Sequence, residues 1–177
     1  MKVIDQLKQR ITLRPTTPED QEFLFRVYAS TREDELARVD WDEVQKERFM
    51  RMQFDAQDTY YRENYPGYEF QVILADGHPA GRLYLHRRPA EIRIMDIALL
   101  PEFRRQGIGT ELLHKVLAEG DTNKLAVTIH VERFNPAMNL YERLGFRLAE
   151  DKGVYCFLEW TPTQPITETG STTTHAR

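Results

Sequence analysis

The chain has 177 residues, 41% hydrophobic and 29% charged, which is the composition of one soluble globular domain with a good-sized core. The formal net charge of −4 argues against a nucleic-acid-binding protein, because such proteins normally carry a basic face. A single cysteine, Cys156, excludes an internal disulfide, and no Cys/His spacing indicates a metal site.

The two ends of the chain are polar. The first ten residues lack the apolar core of a signal peptide, and no apolar run is long enough to span a bilayer. We therefore expect a cytoplasmic protein, a monomer or homodimer, that binds neither membrane nor nucleic acid. Residues 1–160 are predicted to form the single domain, and residues 161–177, which are poor in apolar side chains, a flexible tail.

The first 64 residues predict one strand followed by helices. Residues 11–15 alternate and end at a proline, as a short strand does. The next residues indicate the start of a helix, because Thr17 can cap it and is followed by Pro18 and two acidic residues. Residues 31–64 form a long, charged segment, which favours one or two helices. One buried side is suggested by Leu36, Val39, Val44, Phe49, Met50, Gln53 and Phe54.

Three antiparallel strands are predicted next. Residues 69–75 and 80–86 flank the hairpin turn Asp76-Gly77, and a second turn over 87–90 leads into the third strand. That third strand, Ile92–Leu100, is an almost continuous apolar run rich in β-branched residues. Such a run predicts a strand covered on both faces.

A strand gives way to a helix across residues 104–109. From Ile108 onward the apolar residues take helical spacing, and Gly120 is predicted to stop the helix. Gly107 and Gly109 have no Cβ, so a ligand can approach the backbone where the first helical N–H groups lack partners. This arrangement favours an anion site for a phosphate or pyrophosphate. The Lys of a P-loop and the third glycine of a dinucleotide fingerprint are both missing.

The last part of the domain predicts a strand, a helix and a hairpin. Residues 125–131 form a buried strand, parallel to Ile92–Leu100 because a helix crosses between the two. Asn135-Pro136 opens the next helix and Gly145 ends it. Residues 146–148 and 154–160 then form the closing hairpin.

Two segments carry a resemblance to a known family. Arg104-x-x-Gly107-x-Gly109 after a strand resembles the acyl-CoA signature of the GNAT-type N-acetyltransferases. The segment from Asn135 through Tyr141 to Gly145-Phe146 is similar to a later motif of that family. The resemblance implies an α/β fold with a mixed, mostly antiparallel central sheet, helices on both faces, and a central parallel strand pair splayed at the cofactor site. It also implies acetyl-CoA as the cofactor.

The resemblance assigns cofactor-binding residues. Backbone N–H groups of the glycine loop would hold the CoA diphosphate, with Arg104 and Arg105 adding charge. Leu99 and Leu100, left unpaired by the splayed sheet, would bond the pantetheine arm and the thioester carbonyl. Asn135 would cap its helix and face the cofactor arm. The full set of loop residues expected at the cofactor is Arg104, Arg105, Gln106, Gly107, Ile108, Gly109 and Thr110.

The catalytic residues are a general acid and a general base. Tyr141 matches the motif position of the family's acid, and a phenol can protonate a departing thiolate. The base must come from Asp96, Glu91 or His86, with His130 and Glu132 as weaker options. Asp96 interrupts an apolar run, where a carboxylate is costly unless it is paired or used. A structural pairing with Arg93 or a backbone bulge explains Asp96 equally well.

The sequence therefore predicts an N-acetyltransferase that moves the acetyl group of acetyl-CoA directly to a primary amine of a small molecule, amino acid or peptide. In this family, residues 31–64 are expected to wall the acceptor site, and their acids and aromatics hint at a cationic acceptor. The alternative is a non-catalytic acyl-CoA-binding regulatory module.

Overall fold

A computed structural model describes residues 10–163; residues 1–9 and 164–177, which include most of the predicted tail, lie outside the described part. The strands are β1 Ile11–Pro15, β2 Glu69–Ala75, β3 His78–Arg87, β4 Glu91–Leu99, β5 Ala126–Glu132, β6 Arg147–Asp151 and β7 Tyr155–Trp160. The helices are α1 Gln21–Ser30, α2 Glu33–Leu36, α3 Glu43–Asn64, α4 Ile108–Asn123 and α5 Met138–Arg143.

The seven strands form one sheet in the order β1-β2-β3-β4-β5-β7-β6. All neighbouring strands are antiparallel except β4 and β5, which are parallel because α4 crosses between them. Helix α1 packs on β3 and β4, and α4 packs on β4 and β5. The predicted fold class, a mixed and mostly antiparallel sheet with helices on both faces, is confirmed.

The parallel pair opens part-way along. Pairing joins residues 91–94 of β4 to residues 126–129 of β5 and stops at Ile94 and Ile129. At this point the β3–β4 register shifts, since Tyr84 opposes Asp96 while Leu85 opposes Ile94, which makes Met95 an extra residue. A bulge bends and twists its strand, so β4 turns away from β5. We call the opening between residues 95–99 of β4 and 130–132 of β5 the fork.

The two faces of β4 differ. Ile92 and Ile94 are fully buried in the core beneath α4. Arg93 and Asp96 point to the other face and keep part of their side chains exposed. Helix α1 contacts β4 on this second face, so the strand is covered on both faces as predicted, although only the α4 face is apolar core.

Three local predictions are corrected. Helix α4 runs past Gly120, where a Cβ would lie 2.9 Å from the Leu125 carbonyl oxygen, so this glycine serves close packing. Helix α5 begins at Met138 instead of at the Asn135-Pro136 pair. Residues 31–64 do form two helices, and Leu36 and Phe54 are buried as predicted, but Val39, Val44 and Phe49 are exposed. Within residues 10–163 no helix combines the length and apolarity that a bilayer span requires.

Candidate active site

The glycine loop lies where β4 ends and α4 begins. After a 3₁₀ turn at Pro101–Phe103, Arg105 (φ 59°) and Gly107 (φ 80°) adopt left-handed conformations. A left-handed residue reverses the chain locally, and glycine adopts it without a Cβ penalty. Gly107 is the N-cap of α4, so these turns carry the chain directly into the first helical turn.

This corner is open and rich in free donors. A Cβ added at Gly107 or Gly109 would meet nothing within 4 Å. Within residues 10–163, the N–H groups of Gly107, Ile108, Gly109 and Thr110 donate to no acceptor. These groups lie at the positive end of the α4 dipole, which favours an anion. The corner therefore fits a diphosphate, and a cleft of about 610 Å³ borders it at Gln106 and Gly107.

Arg104 has a structural role that its sequence position did not predict. Its Nε donates to the Leu99 carbonyl oxygen (2.9 Å), and its Nη2 donates to Ser30 Oγ (3.1 Å) in α1. Its backbone N–H donates to the Pro101 carbonyl oxygen. The Arg104 guanidinium therefore ties the loop to α1, and its contribution to the diphosphate stays a prediction.

The other loop side chains either support the loop or remain available to a ligand. Gln106 Nε2 donates to the Glu102 carbonyl oxygen (2.7 Å), which braces the loop, and the Ile108 side chain is buried in the core. The Arg105 guanidinium makes no hydrogen bond or ion pair within the described part of the chain. Of the two arginines, Arg105 is thus the one able to approach an anion.

Leu99 and Leu100 differ in what their backbones offer. The Leu100 N–H donates to the Ala80 carbonyl oxygen (2.9 Å), so its predicted freedom from the sheet is wrong. Backbone groups of successive strand residues point to alternate sides, so those of Leu99 point away from β3. The Leu99 carbonyl accepts from Arg104, while its N–H faces the fork, where no strand pairs with it.

Tyr141 lies in α5 with 4% of its surface exposed, and its ring packs edge-on against Phe146 at 5.6 Å. Its hydroxyl has no hydrogen-bond partner within residues 10–163. Burial and, secondarily, the Asp96 carboxylate raise the pKa of Tyr141 well above its usual value. The phenol is therefore protonated and close enough to Asp96 to sense its charge.

Asn135 follows β5 at the same edge of the sheet. Its Oδ1 accepts from the Ala137 N–H (2.8 Å), which turns the chain toward α5. The side-chain NH₂ group donates to nothing in the described part of the chain and remains available to a ligand.

Asp96 is ion-paired with Arg82 of β3, whose surface is 3% exposed. The Arg82 Nη2 also donates to Gln57 Oε1 in α3 (3.4 Å). Of the two structural explanations considered for Asp96, the backbone bulge is confirmed. The pairing with Arg93 is wrong, because Asp96 pairs with Arg82 and Arg93 pairs with Glu91. The Asp96 side chain is 24% exposed, which leaves its carboxylate accessible to a ligand. The role of Asp96 as the general base stays a prediction.

Glu91 lies at the closed end of β4, and both of its carboxylate oxygens are occupied. Oε1 accepts from Arg88 Nη1 (3.1 Å) and Arg93 Nη2 (3.0 Å), and Oε2 accepts from Thr128 Oγ1 (2.7 Å). Eight strand residues, about 26 Å, separate it from Leu99. The structure thus contradicts Glu91 as the general base and makes it a structural carboxylate.

The remaining base candidates are held by neighbours. His86 Nδ1 accepts from Arg88 Nε (3.0 Å). His130 Nε2 is 3.5 Å from Lys152 Nζ, and Glu132 pairs with Arg32 at 3.7 Å. Among the base candidates proposed from sequence, Asp96 is the one whose charge acts on the Tyr141 phenol.

Comparison with known proteins decides the family. Residues 33–146, more than half of the chain, match the profile of the Acetyltransferase (GNAT) family. This chain belongs to the GNAT acetyltransferases. The family uses acetyl-CoA, so the predicted cofactor is confirmed together with the predicted family.

The GNAT chain has relatives of several kinds. It is 30% identical over 95 residues, 51% of its length, to a Bacillus subtilis protein named "Putative ribosomal protein bS18-alanine N-acetyltransferase". The match spans 62% of that relative's length. This likeness supports acetyltransferase activity at a general level.

Solved structures show the same fold. PaiA N-acetyltransferase from Thermoplasma acidophilum in complex with coenzyme A aligns with a TM-score of 0.65 at 20% identity, covering 86% of this chain and 99% of that one. The ribosomal-protein-S18-alanine N-acetyltransferase from Escherichia coli aligns with a TM-score of 0.59 at 17% identity, covering 90% and 98%.

Sequence reasoning missed Arg82, which holds Asp96 in this GNAT site. Its signal was visible as a single charge inside the apolar strand Ala-Gly-Arg-Leu-Tyr-Leu, where a buried cation needs an anionic partner. Within residues 10–163 no group of three or more His, Cys, Asp or Glu side chains could hold a metal ion.

Proposed function

We propose that this GNAT chain transfers the acetyl group of acetyl-CoA directly to a primary amine of a small molecule or peptide. The observation that carries the proposal is the open, unpartnered N–H corner at Gly107–Thr110 at the same sheet edge as the α5 segment that carries the buried, protonated Tyr141. The name of the Bacillus subtilis relative supports a protein amino group as one such acceptor.

The chain's part in holding the donor is electrostatic. Bound acetyl-CoA supplies an acetyl group activated as a thioester. The N–H groups of Gly107, Gly109 and Thr110 would hold the diphosphate, and Arg105 would add charge. The Leu99 N–H, directed into the fork, would donate to the carbonyl oxygen. One such well-placed donor is worth about 3 kcal/mol to a developing oxyanion.

Tyr141 would serve as the general acid. Its Oη holds a proton at any working pH, since burial raises its pKa. A departing thiolate has a pKa of about 8.5 in water, below that of a phenol. Burial disfavours any charged form, so the cavity that raises the pKa of Tyr141 also raises that of the thiol, and proton transfer stays feasible.

Asp96 would accept the proton of the acceptor amine, directly or through water. An attacking amine must be neutral, and a lysine-like amine with a pKa near 10.4 is charged at neutral pH. Asp96 keeps part of its carboxylate exposed on the face opposite α4, while Arg82 holds it from beneath. Glu91 is not proposed for this task.

A second candidate is an acyl-CoA-binding module without turnover. The observation that favours it is the Arg82–Asp96 ion pair, because a carboxylate already matched to a buried guanidinium has a sufficient structural reason to be present.

Two measurements test the proposal together. Acetyl-CoA should raise the melting temperature, since ligand at 100 times Kd adds about 2.7 kcal/mol to the free energy of unfolding. A panel of amino-acid amides, short peptides and polyamines should then show release of free CoA thiol with at least one amine. A melting shift without thiol release from any amine would support the binding module instead. No melting shift at millimolar acetyl-CoA would reject both functions.

A further inference from the structure

Helix α3 packs on the rest of the described protein along one side only. Phe54 is its one fully buried residue, and the Phe54 ring packs against those of Phe25 and Tyr28 in α1 at centroid distances of 5.8 and 5.7 Å. Helices in proteins draw most of their stability from such tertiary packing. A helix of 22 residues with one buried side chain therefore has a broad face still available to a partner.

The opposite side of α3 carries an apolar stripe. Met52 and Ala56 each lie two residues from Phe54, which places them about 160° away from it around the helix. Phe49 and Tyr60 continue this row at three- and four-residue intervals, and all four side chains are exposed. We call these four residues the α3 stripe.

The surface around the α3 stripe is unusually apolar. The Trp41 ring packs edge-on against Phe49 at 5.2 Å and widens the stripe at that point. More than half of the exposed large apolar side chains in residues 10–163 lie between residues 39 and 60. Single exposed apolar residues need no explanation, but a contiguous group of them marks an interaction surface.

The shape of the α3 stripe fits another helix. From Phe49 to Tyr60 it runs about 16 Å along the helix axis. Apolar residues at alternating three- and four-residue intervals form the seam along which two helices pack side by side. Since α3 is itself such a helix, a second copy of this chain supplies a matching surface without any further protein.

The charges beside the α3 stripe favour a second copy. Most charged residues of α3 have an ion-pair partner in the protein, as Arg62 has in Asp58. Arg48, Asp55 and Glu63 have none within residues 10–163. Arg48 and Asp55 lie seven residues apart along the same edge of the stripe, and both are exposed. One edge of the stripe thus presents an unpaired cation and an unpaired anion two helical turns apart.

An antiparallel pair of α3 helices matches these two charges. When Phe49 of each copy packs against Met52 of the other, Arg48 of each copy faces Asp55 of the other. The pair has twofold symmetry, so every contact occurs twice. A parallel pair would instead place Arg48 opposite Gln53 and leave both charges unmatched. The charges therefore select the antiparallel arrangement.

We propose that the chain forms a twofold-symmetric homodimer through an antiparallel pair of α3 helices. The α3 stripes of the two copies are in contact, and Arg48 of each copy pairs with Asp55 of the other. This contact leaves the packed side of α3 undisturbed, where Gln57 accepts from Arg82. The proposal is independent of the acetyl transfer proposed above.

Sedimentation velocity of the full chain tests the dimer. The wild type should change from monomer to dimer as its concentration rises from micromolar to millimolar, since a contact of this size is smaller than a standard interface. Met52→Arg should stay monomeric throughout, because it places two guanidinium groups at the apolar centre. Leu148→Arg, on β6, is the matched control: Met52 and Leu148 are both 58% exposed, and this variant should keep the dimer.

Charge reversal tests the antiparallel pairing. Arg48→Asp or Asp55→Arg alone replaces two attractive contacts by two repulsive ones and should weaken the dimer about tenfold or more. The double variant Arg48→Asp/Asp55→Arg exchanges the charges and should restore the affinity to within about threefold of wild type. Melting followed by circular dichroism at micromolar concentration should be the same for all these variants, because every substituted side chain is exposed.

Three results would contradict the proposal. A wild-type chain that stays monomeric at millimolar concentration would overturn it and leave the α3 stripe to a different protein. A dimer that survives Met52→Arg would lie on another surface. A double variant as weak as the two single variants would reject the pairing of Arg48 with Asp55 and with it the antiparallel arrangement.

Discussion

Strand β4 carries one carboxylate near each end, Glu91 and Asp96, and the two differ in how many donors occupy them. At the closed end, β5 pairs with the strand and Glu91 accepts from three donors, Arg88, Arg93 and Thr128. Beyond the Met95 bulge, β5 no longer pairs with β4. Asp96 there has one buried partner, Arg82, and part of its side chain remains exposed. The comparison teaches that a carboxylate becomes available for chemistry where the sheet opens, because pairing brings donors that occupy its oxygens.

The largest expected effect is the loss of kcat on replacing Tyr141, the proposed general acid. Tyr141→Phe should lower kcat by about 10²- to 10⁴-fold, because it removes the proton donor. Binding of acetyl-CoA, measured by calorimetry, should change little, since the hydroxyl has no hydrogen-bond partner to lose within the described chain. Tyr155→Phe, on an exposed residue of β7, is the matched control. A kcat equal to wild type would remove Tyr141 from the mechanism.

The Asp96 carboxylate should matter for both stability and rate. Asp96→Asn leaves the buried Arg82 guanidinium unpaired and should lower the free energy of unfolding by about 3 kcal/mol. The double variant Arg82→Met/Asp96→Leu removes both charges and should regain stability. If it regains turnover as well, Asp96 is structural only; persistent loss of turnover in a stable double variant supports its role as base.

Two glycine variants should distinguish the effect of backbone strain on stability from the effect of a side chain on acetyl-CoA binding. Gly107→Val and Gly77→Val both place a side chain at a left-handed φ, 80° and 82°, with open space around the new Cβ. Each should lower the free energy of unfolding by about 1–2 kcal/mol. Only Gly107→Val should weaken acetyl-CoA binding, by about tenfold or more (about 1.4 kcal/mol), because its side chain fills the corner. Equal binding by both variants, measured by titration calorimetry, would place the diphosphate elsewhere.

The smallest effect is expected at the closed end. Glu91→Gln should leave kcat for alanine amide within about twofold, since Glu91 lies far from the loop. Its free energy of unfolding should fall by about 1 kcal/mol through weaker bonds to Arg88 and Arg93. A hundredfold fall in kcat at unchanged stability would reverse the comparison between the two carboxylates.

Local patterns predicted the cofactor side of this molecule well. The change from an apolar run to helical spacing at Ile108 and the two glycines depend on neighbouring residues alone, and the structure has the strand, loop and helix in those places. The local pattern failed at Gly120, and the expectation drawn from the family resemblance failed at Leu100. Gly120 is needed for close packing against β5, and the Leu100 N–H is taken by Ala80 across the sheet.

The sequence by itself determined the order of elements, the parallel crossing between β4 and β5, and the family to which the chain belongs, because each rests on spacing within a short segment. Only the tertiary structure decided that Arg104 braces the loop, that Arg82 pairs with Asp96, and that the Glu91 carboxylate is occupied by structural hydrogen bonds. Those partners come from strands and helices distant in the chain. Hydrogen bonds and ion pairs act over a few ångströms, so the role of a charged residue is settled by which neighbours the fold brings within that range.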